Sequence, residues 1–256
     1  MASTLAAEPG TGGGLKSVLC AMELLTCFTA QEELGVTELA RRLGVSKSTA
    51  HRLLSTLRAR GFVEQDPESA NYRLGLRIIE LGYAAVNRVR IRQTALPMLE
   101  HLRQATACTV HLAVPDGPDV VYLERLVPAR QLPDFADIER RIPAHRTSSG
   151  KVMAAFNPSL ARQAGQVARA AEPAGAGTAG AFDRSLAEAR ARGTAVTDDV
   201  VSMGFTSVAA ALRDGAGVAR AAISVVGPQR EMAAHLDRLS RLVGSAAVRL
   251  ERSLCL

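Results

Sequence analysis

The sequence predicts an α+β protein in two parts: a small helical module near the N-terminus, then a larger part in which antiparallel strands alternate with helices. Three observations carry this. Two short segments with helical periodicity, at 37–43 and 46–59, are separated by a turn of a few residues that contains Gly44. Two later stretches, "TVHLAV-PDGPD-VVYLERL" and "SVAAAL-RDGAG-VARAAISVV", each read as paired strand-like runs around a Gly/Asp turn. The chain ends in "EMAAHLDRLSRLVGSAAVRLERSL", with Leu236, Leu239, Leu242 and Val243 on one side of a single amphipathic helix.

The chain has 256 residues, room for one large domain or two ordinary ones. With 47% apolar and 22% charged residues it has the composition of a folded protein. A net charge of +6 and a pI of about 9.6 point to an anionic partner without identifying it. The longest apolar runs are too short to span a bilayer, and "MASTLAAEPGTGGGLK" has neither the basic start nor the apolar stretch of a secretory signal. The four cysteines, Cys20, Cys27, Cys108 and Cys255, form no CxxC pair and have no histidine at ligand spacing. That reads as no metal site, no disulfide framework and a reduced, cytoplasmic location. No Trp is present, which disfavours a stacking platform for single-stranded nucleic acid.

Taken in order, residues 1–14 are a flexible Gly-rich lead-in. "SVLCAMELLTCFTA" spaces Val18, Met22, Leu25 and Phe28 as a helix would. In "GVTELARRLGV", Thr37 is placed at the N-cap, Leu39, Ala40 and Leu43 face inward, and Gly44 stops the helix. Ser46 caps the next helix. "FVEQD" and "YRLG" around the turn cluster "PESAN" form a small hairpin, which makes the module a winged helix-turn-helix over 15–75. "LRIIELGYAAVNRV" returns to helical spacing as a linker over 76–92. The second domain occupies 93–256. It opens with the helix "IRQTALPMLEHLRQAT", in which Pro97 marks a kink or a start. It continues through the first hairpin, the turn into a helix at "AHRTSSGKVMAAF", the low-complexity stretch "ARAAEPAGAGTAGAF", a helix ending at Gly193, the second hairpin and the final helix.

The second helix of the module carries the strongest functional signal. Ala50, Leu53, Leu54 and Leu57 make one apolar stripe. Ser48, Arg52 and Ser55 lie opposite, flanked near the start by Lys47, Thr49 and His51. A solvated helix mixes charge signs, whereas this one carries only positive charge and follows a short turn. In such modules the second helix enters the major groove. Arg pairs with guanine, and Ser or Thr bonds bases or phosphates. Arg41, Arg42, Arg58 and Arg60 add sequence-independent attraction. Asn71 and Arg73 in the hairpin are placed to reach the minor groove or backbone. The expected partner is double-stranded DNA.

The stretch "VTELARRLGVSKSTAHRLLSTLRARGFVEQDPESANYRLG" resembles the N-terminal module of the IclR family of bacterial transcriptional regulators. The likeness continues through "LEHLRQATACTVHLAVPDGPDVVYLERL", "RIPAHRTSSGKVMAAF", "GTAVTDD" and "AAISVVGP", covering nearly the whole chain from Leu15. It implies a winged helix-turn-helix, a linker helix and a C-terminal effector-binding domain similar to GAF domains. It also implies dimers formed through the DNA-binding modules and often tetramers. Such proteins repress or activate promoters in response to small metabolites, often organic or aromatic acids. The family's effector pocket carries over to Ser148 and Ser149 in "RTSSGK", to Thr197 with Asp198 beside it, and to Ser207 and Ser224 in the late strands. The sequence departs from many relatives in having Arg146 where they have a small residue or Cys, Thr197 where they have an acid, and Val226 where several have a polar residue. Those departures suit an anionic or more apolar effector.

Ser148 and Lys151 also satisfy S-x-x-K, the nucleophile motif of some acyl-transfer enzymes, so a Ser/Lys hydrolase or transferase is the alternative. S-D-N and K-T-G are absent downstream, and Arg146 and Val152 break a phosphate-loop reading. A turn entering a helix offers free N–H groups to an anion, which favours binding without chemistry. His111 and His145 are read as structural. The sequence therefore points to a homo-oligomeric, dimeric or tetrameric, DNA-binding regulator with a small anionic effector, no cofactor, no membrane partner and no catalytic residue.

Overall fold

The structure, a computed structural model, describes residues 15–87, 90–128, 140–171, 180–198 and 204–254. The chain divides into two units, Met1–Ala85 and Val86–Leu256.

In the first unit, helix α1 (Lys16–Cys27) precedes α2 (Val36–Leu43) and α3 (Lys47–Ala59). Strands β1 (Val63–Gln65) and β2 (Tyr72–Leu74) then pair antiparallel, with Val63 opposite Leu74. Gly44 ends α2 at φ 63°, the left-handed conformation that a residue without Cβ adopts freely. Ser46 caps α3 by accepting from the Thr49 backbone N–H at 3.2 Å. Leu24, Phe28, Leu34, Leu39, Leu54, Val63 and Tyr72 form the core. The hairpin turn is built on Asp66, whose carboxylate accepts from the N–H groups of Glu68 and Ser69. A bridge between Leu34 and Tyr72 ties the α1–α2 connection to the hairpin.

One expectation about this unit needs correction. Thr37 is not the N-cap of α2. The helix starts from Gly35, whose carbonyl accepts from the Leu39 N–H, because Val36 enters the helix and packs on the core. The helical spacing of Val18 and Met22 is that of α1, and both face outward. They are 48% and 59% exposed and lie with Leu15 and Leu19 at i, i+3, i+4 and i+7 on the side away from Leu24 and Phe28. Both sides of α1 are apolar, so periodicity alone could not tell which one is buried.

Helix α4 (Leu76–Asn87) spans the boundary between the units. The second unit then runs α5 (Arg90–Thr106), β3 (Thr109–Asp116), β4 (Asp119–Leu126), β5 (Arg141–Pro143), a short 3-10 turn (Ala144–Arg146), α6 (Ser148–Ala155) and α7 (Pro158–Ala170). It closes with α8 (Ala181–Arg192), β6 (Thr194–Thr197), β7 (Phe205–Arg213), β8 (Ala219–Pro228), α9 (Gln229–Ala233) and α10 (Leu236–Leu254). Most of the low-complexity stretch, 172–179, lies outside the described residues. Pro97 sits inside α5 and is not its start.

The six strands form one antiparallel sheet in the order β5-β4-β3-β8-β7-β6. Both expected hairpins are present, and β3 of the first pairs with β8 of the second. Side chains alternate between the two faces. Val110, Leu112, Val208, Leu212, Ile223 and Val225 pack with residues of α5 and α10, including Leu99, Val243 and Leu250. Ala113, Tyr122, Ala209 and Ala222 face the other way with residues of α6, α7 and α8. The final helix is two helices, not one. A turn at Ala234–His235 lets Met232 bury at the sheet end while α10 lays Leu239, Val243, Ala246 and Leu250 along the sheet.

Candidate functional site

The exposed side of α3 presents Lys47, Ser48, Thr49, His51 and Arg52 to solvent, and Ser55 is half-buried. Ser48 and Thr49 are drawn into the cap: their hydroxyls lie 2.9 and 2.8 Å from Ser46 Oγ. Lys47, His51 and Arg52 have no ion pair among the described residues. The outlying arginines are held differently. Arg41 makes a forked pair with Glu38, which also accepts from Arg42 Nε at 2.7 Å, and Arg42 reaches Gln31. These contacts hold the Glu38 carboxyl down at about 2. Arg58 donates to Gln65, and Arg73 is clasped by Glu64 with Glu33 at 3.8 Å. Asn71 is half-buried, with its carbonyl oxygen near Gly35. The charge on the α2 and wing arginines is thus partly neutralised on site, while that at the start of α3 is not.

In the second unit a polar cluster interrupts the alanine-rich face of the sheet. His111 on β3 stands opposite Ser224 on β8, and Thr197 on β6 stands opposite Ser207 on β7. The start of α6 contributes to the same region. Thr147, not Ser148, is the N-cap, accepting from Gly150 N–H at 2.9 Å. Ser148 and Ser207 share a hydrogen bond, and Lys151 Nζ donates to Thr197 Oγ1 at 3.2 Å. Gly150 is required for this approach, since a Cβ there would stand 2.1 Å from the Ala144 carbonyl oxygen. Ser149 and Ser224 are buried, and their hydroxyls have no partner among the described residues. Of the expected effector residues, Ser148, Ser149, Thr197, Ser207 and Ser224 are buried, while Asp198 is exposed and accepts from Thr206 Oγ1 at 2.9 Å.

Sequence reasoning read His111 as structural and gave Tyr122 and Arg125 no role. His111 is 3% exposed, its ring lies 4.7 Å from that of Tyr122, and neither ring nitrogen has a hydrogen-bond partner among the described residues. Burial, reinforced by the nearby Arg125 charge, pushes its pKa down to about 3, so the ring is neutral. Burial likewise raises the Tyr122 phenol, with Ser149 and Thr147 acting in the opposite direction. Arg125 reaches this face through a bulge. Leu112 pairs with Glu124 and Ala113 with Tyr122, so Leu123 is extra; Glu124 turns to Arg92 of α5 and Arg125 falls opposite His111. Burial lowers the Arg125 pKa, and the charge of Arg140 acts in the same direction. Arg146, expected beside the serines, is exposed, and the ring it perturbs is His145.

Nothing in this cluster is arranged as a nucleophile and base. Ser148 is turned to Ser207 and Lys151 to Thr197, so no Ser–Lys hydrogen bond forms. Among the described residues no group of three or more His, Cys, Asp or Glu gathers as a metal cage. Cys20, Cys27 and Cys108 are free thiols.

A winged helix-turn-helix with an unneutralised helix start, followed by a six-stranded α+β unit with a buried polar cluster, is the layout of two-domain bacterial transcriptional regulators. The chain belongs to the IclR family: residues 17–67 match the IclR helix-turn-helix domain and residues 83–252 the bacterial transcriptional regulator IclR C-terminal domain. It is 40% identical over 113 residues to the HTH-type transcriptional regulator XynR of Escherichia coli (strain K12), covering 44% of this chain and 45% of XynR. It is 30% identical over 239 residues to the HTH-type transcriptional regulator BhcR of Paracoccus denitrificans (strain Pd 1222), covering 92% of this chain and 86% of BhcR. The chain spans under half the length of XynR and of several other curated relatives it matches. Among solved structures, an IclR homolog complexed with 4-hydroxybenzoate from Microbacterium hydrocarbonoxydans aligns with a TM-score of 0.78 at 27% identity, covering 93% of this chain and 99% of that one. The relatives are named as regulators of transcription.

Proposed function

We propose that the protein is a transcriptional regulator that binds a pseudo-palindromic promoter site in duplex DNA and responds to a small organic acid. The observation that carries the reading is the start of α3, where Lys47, His51 and Arg52 are exposed with no acidic partner among the described residues, directly after a capped turn. Ser48, Thr49 and Ser55 join them as groove contacts. Arg41, Arg42, Arg58, Asn71 and Arg73 serve the phosphate backbone. The outward apolar stripe Leu15, Val18, Leu19 and Met22 on α1 supports pairing of two copies, which a two-fold site requires. The buried polar cluster of the second unit supports effector binding, with Ser148, Ser149, Thr197, Ser207 and Ser224 around the ligand and Arg125 supplying positive charge; exposed Asp198 lies at its margin. The Microbacterium homolog holds an aromatic hydroxy acid. No described helix is long and apolar enough to cross a membrane, and the reading places the protein in the cytoplasm with its DNA.

Footprinting on the DNA upstream of the protein's own gene, repeated with a panel of small carboxylic acids, tests this. The expected result is protection of two half-sites about one helical turn apart, affinity on the order of nanomolar with steep salt dependence, and a change in protection with at least one acid. No duplex binding even at low salt overturns it.

A further inference from the structure

His111 belongs to no structural network among the described residues. It is 3% exposed, and both ring nitrogens lack a partner. Its cross-strand neighbour Ser224 is 1% exposed with an unpartnered hydroxyl, and Ser149 at the start of α6 is fully buried in the same condition. Buried polar atoms are almost always paired, because losing water without a replacement bond is costly. Three such side chains in one region are a site awaiting something that supplies the bonds. The neighbouring side chains are small: Ala209 is the other cross-strand neighbour of Ser224, and Ala113 follows His111 on the same face of β3. The Tyr122 ring beside His111 gives a flat apolar wall.

We infer that His111, with Ser149 and Ser224, is the specificity-determining corner of the effector site, and that it receives an uncharged hydroxyl of the ligand rather than its carboxylate. This rests on the effector reading above and sharpens it to a hydroxylated acid. A neutral imidazole has one N–H and one bare nitrogen. A hydroxyl satisfies either, by accepting or donating. A carboxylate can only accept, so it can meet the N–H but can give nothing to the bare nitrogen or to an acceptor beside it. The carboxylate belongs at the cationic side, where the bulge in β4 places Arg125 opposite His111.

The test uses the full chain and its His111→Leu variant, melted with and without 4-hydroxybenzoate or benzoate, two acids that differ only by the hydroxyl. Without ligand, the variant melts at the same temperature as the wild type or higher, because it removes unmet polar atoms at similar volume. A ligand-free melting temperature more than about 4 °C lower makes His111 a structural residue and overturns the inference. In the wild type, 4-hydroxybenzoate binds roughly fivefold to tenfold tighter than benzoate, and His111→Leu erases that preference. His111→Asn, which restores a donor and an acceptor, recovers part of it. Equal responses of the wild type to the two acids overturn the hydroxyl assignment and leave the acid-effector reading standing. Indifference to both overturns the ligand assigned to this corner, while the panel of acids in footprinting decides the acid-effector reading separately.

Discussion

Ser148, the first residue of α6, and Ser207 on β7 satisfy each other's buried hydroxyls, at 1% and 4% exposure, and so pin the helix start to the sheet. Removing either one strands the other. Ser148→Ala or Ser207→Ala alone costs about 1–3 kcal/mol of stability, and the double alanine variant costs clearly less than the sum, since it leaves no orphan. Urea unfolding of the four proteins in the cycle measures the coupling. Strict additivity would mean that the two hydroxyls do not depend on each other.

The neutral state of His111 gives the protein a pH signature. In the unfolded chain this ring takes up a proton near pH 6.5; in the folded chain it does so only near 3. Between those values the unfolded state holds more protons, so stability rises with pH, is full above about 6.5, and falls away in acid. One such group changes stability by at most about 1.4 kcal/mol per pH unit, hence up to about 2 kcal/mol between pH 7 and pH 5. Tyr122 and Arg125 face the ring and do not titrate in that window, and His145 is common to both proteins compared. The expected result is a flatter pH dependence of urea unfolding in His111→Leu than in the wild type. Parallel curves would rule out a buried neutral imidazole.

Much of the fold was legible because its signals are local. Ser46 caps α3 by its own side chain, Gly44 stops α2 by its own conformation, and both β-hairpins of the second unit declare themselves in their turns. Ser149 and Ser224 were named in advance through the family resemblance, but the part of His111 was not legible, for a physical reason. A histidine alternating with Val110 and Leu112 looks the same whether its nitrogens are satisfied or orphaned, and only the convergence of β3, β8 and α6 decides that. The bulge that brings Arg125 round to His111 leaves no mark in "VVYLERL". The single final helix expected from periodicity was interrupted because Met232 and Leu239 bury in different places.

Gly150 fixes how α6 meets the preceding turn. A methyl group there would collide with backbone atoms of Ala144, the nearest at 2.1 Å, and backbone cannot swing aside as a side chain can. Gly150→Ala therefore destabilises the second unit by about 3 kcal/mol or more, in contrast to the modest gain the same change gives at a solvent-exposed helical position. Thermal unfolding followed by circular dichroism reads this directly; a loss below about 1 kcal/mol would show that the turn can yield.

Arg52 and Arg73 should separate in their effect on DNA, although both are exposed arginines of the same unit. Arg52 has no acidic partner among the described residues, so it approaches a groove with its full charge and all its donors available. Arg73 is held by Glu64 and Glu33, and engaging a phosphate means giving up bonds it already has. Arg52→Ala is expected to weaken binding by about 1–3 kcal/mol and to narrow the gap between operator and unrelated duplex, as loss of a base-reading contact does. Arg73→Ala is expected to weaken both duplexes alike, by less than about 1 kcal/mol, with at most a slight reduction in salt slope. Fluorescence anisotropy with an operator and a scrambled duplex at several salt concentrations distinguishes the two. If Arg52→Ala weakens both duplexes equally and flattens the salt slope by about one, then Arg52 meets phosphate, and sequence is read by Lys47, His51 or the serines beside them.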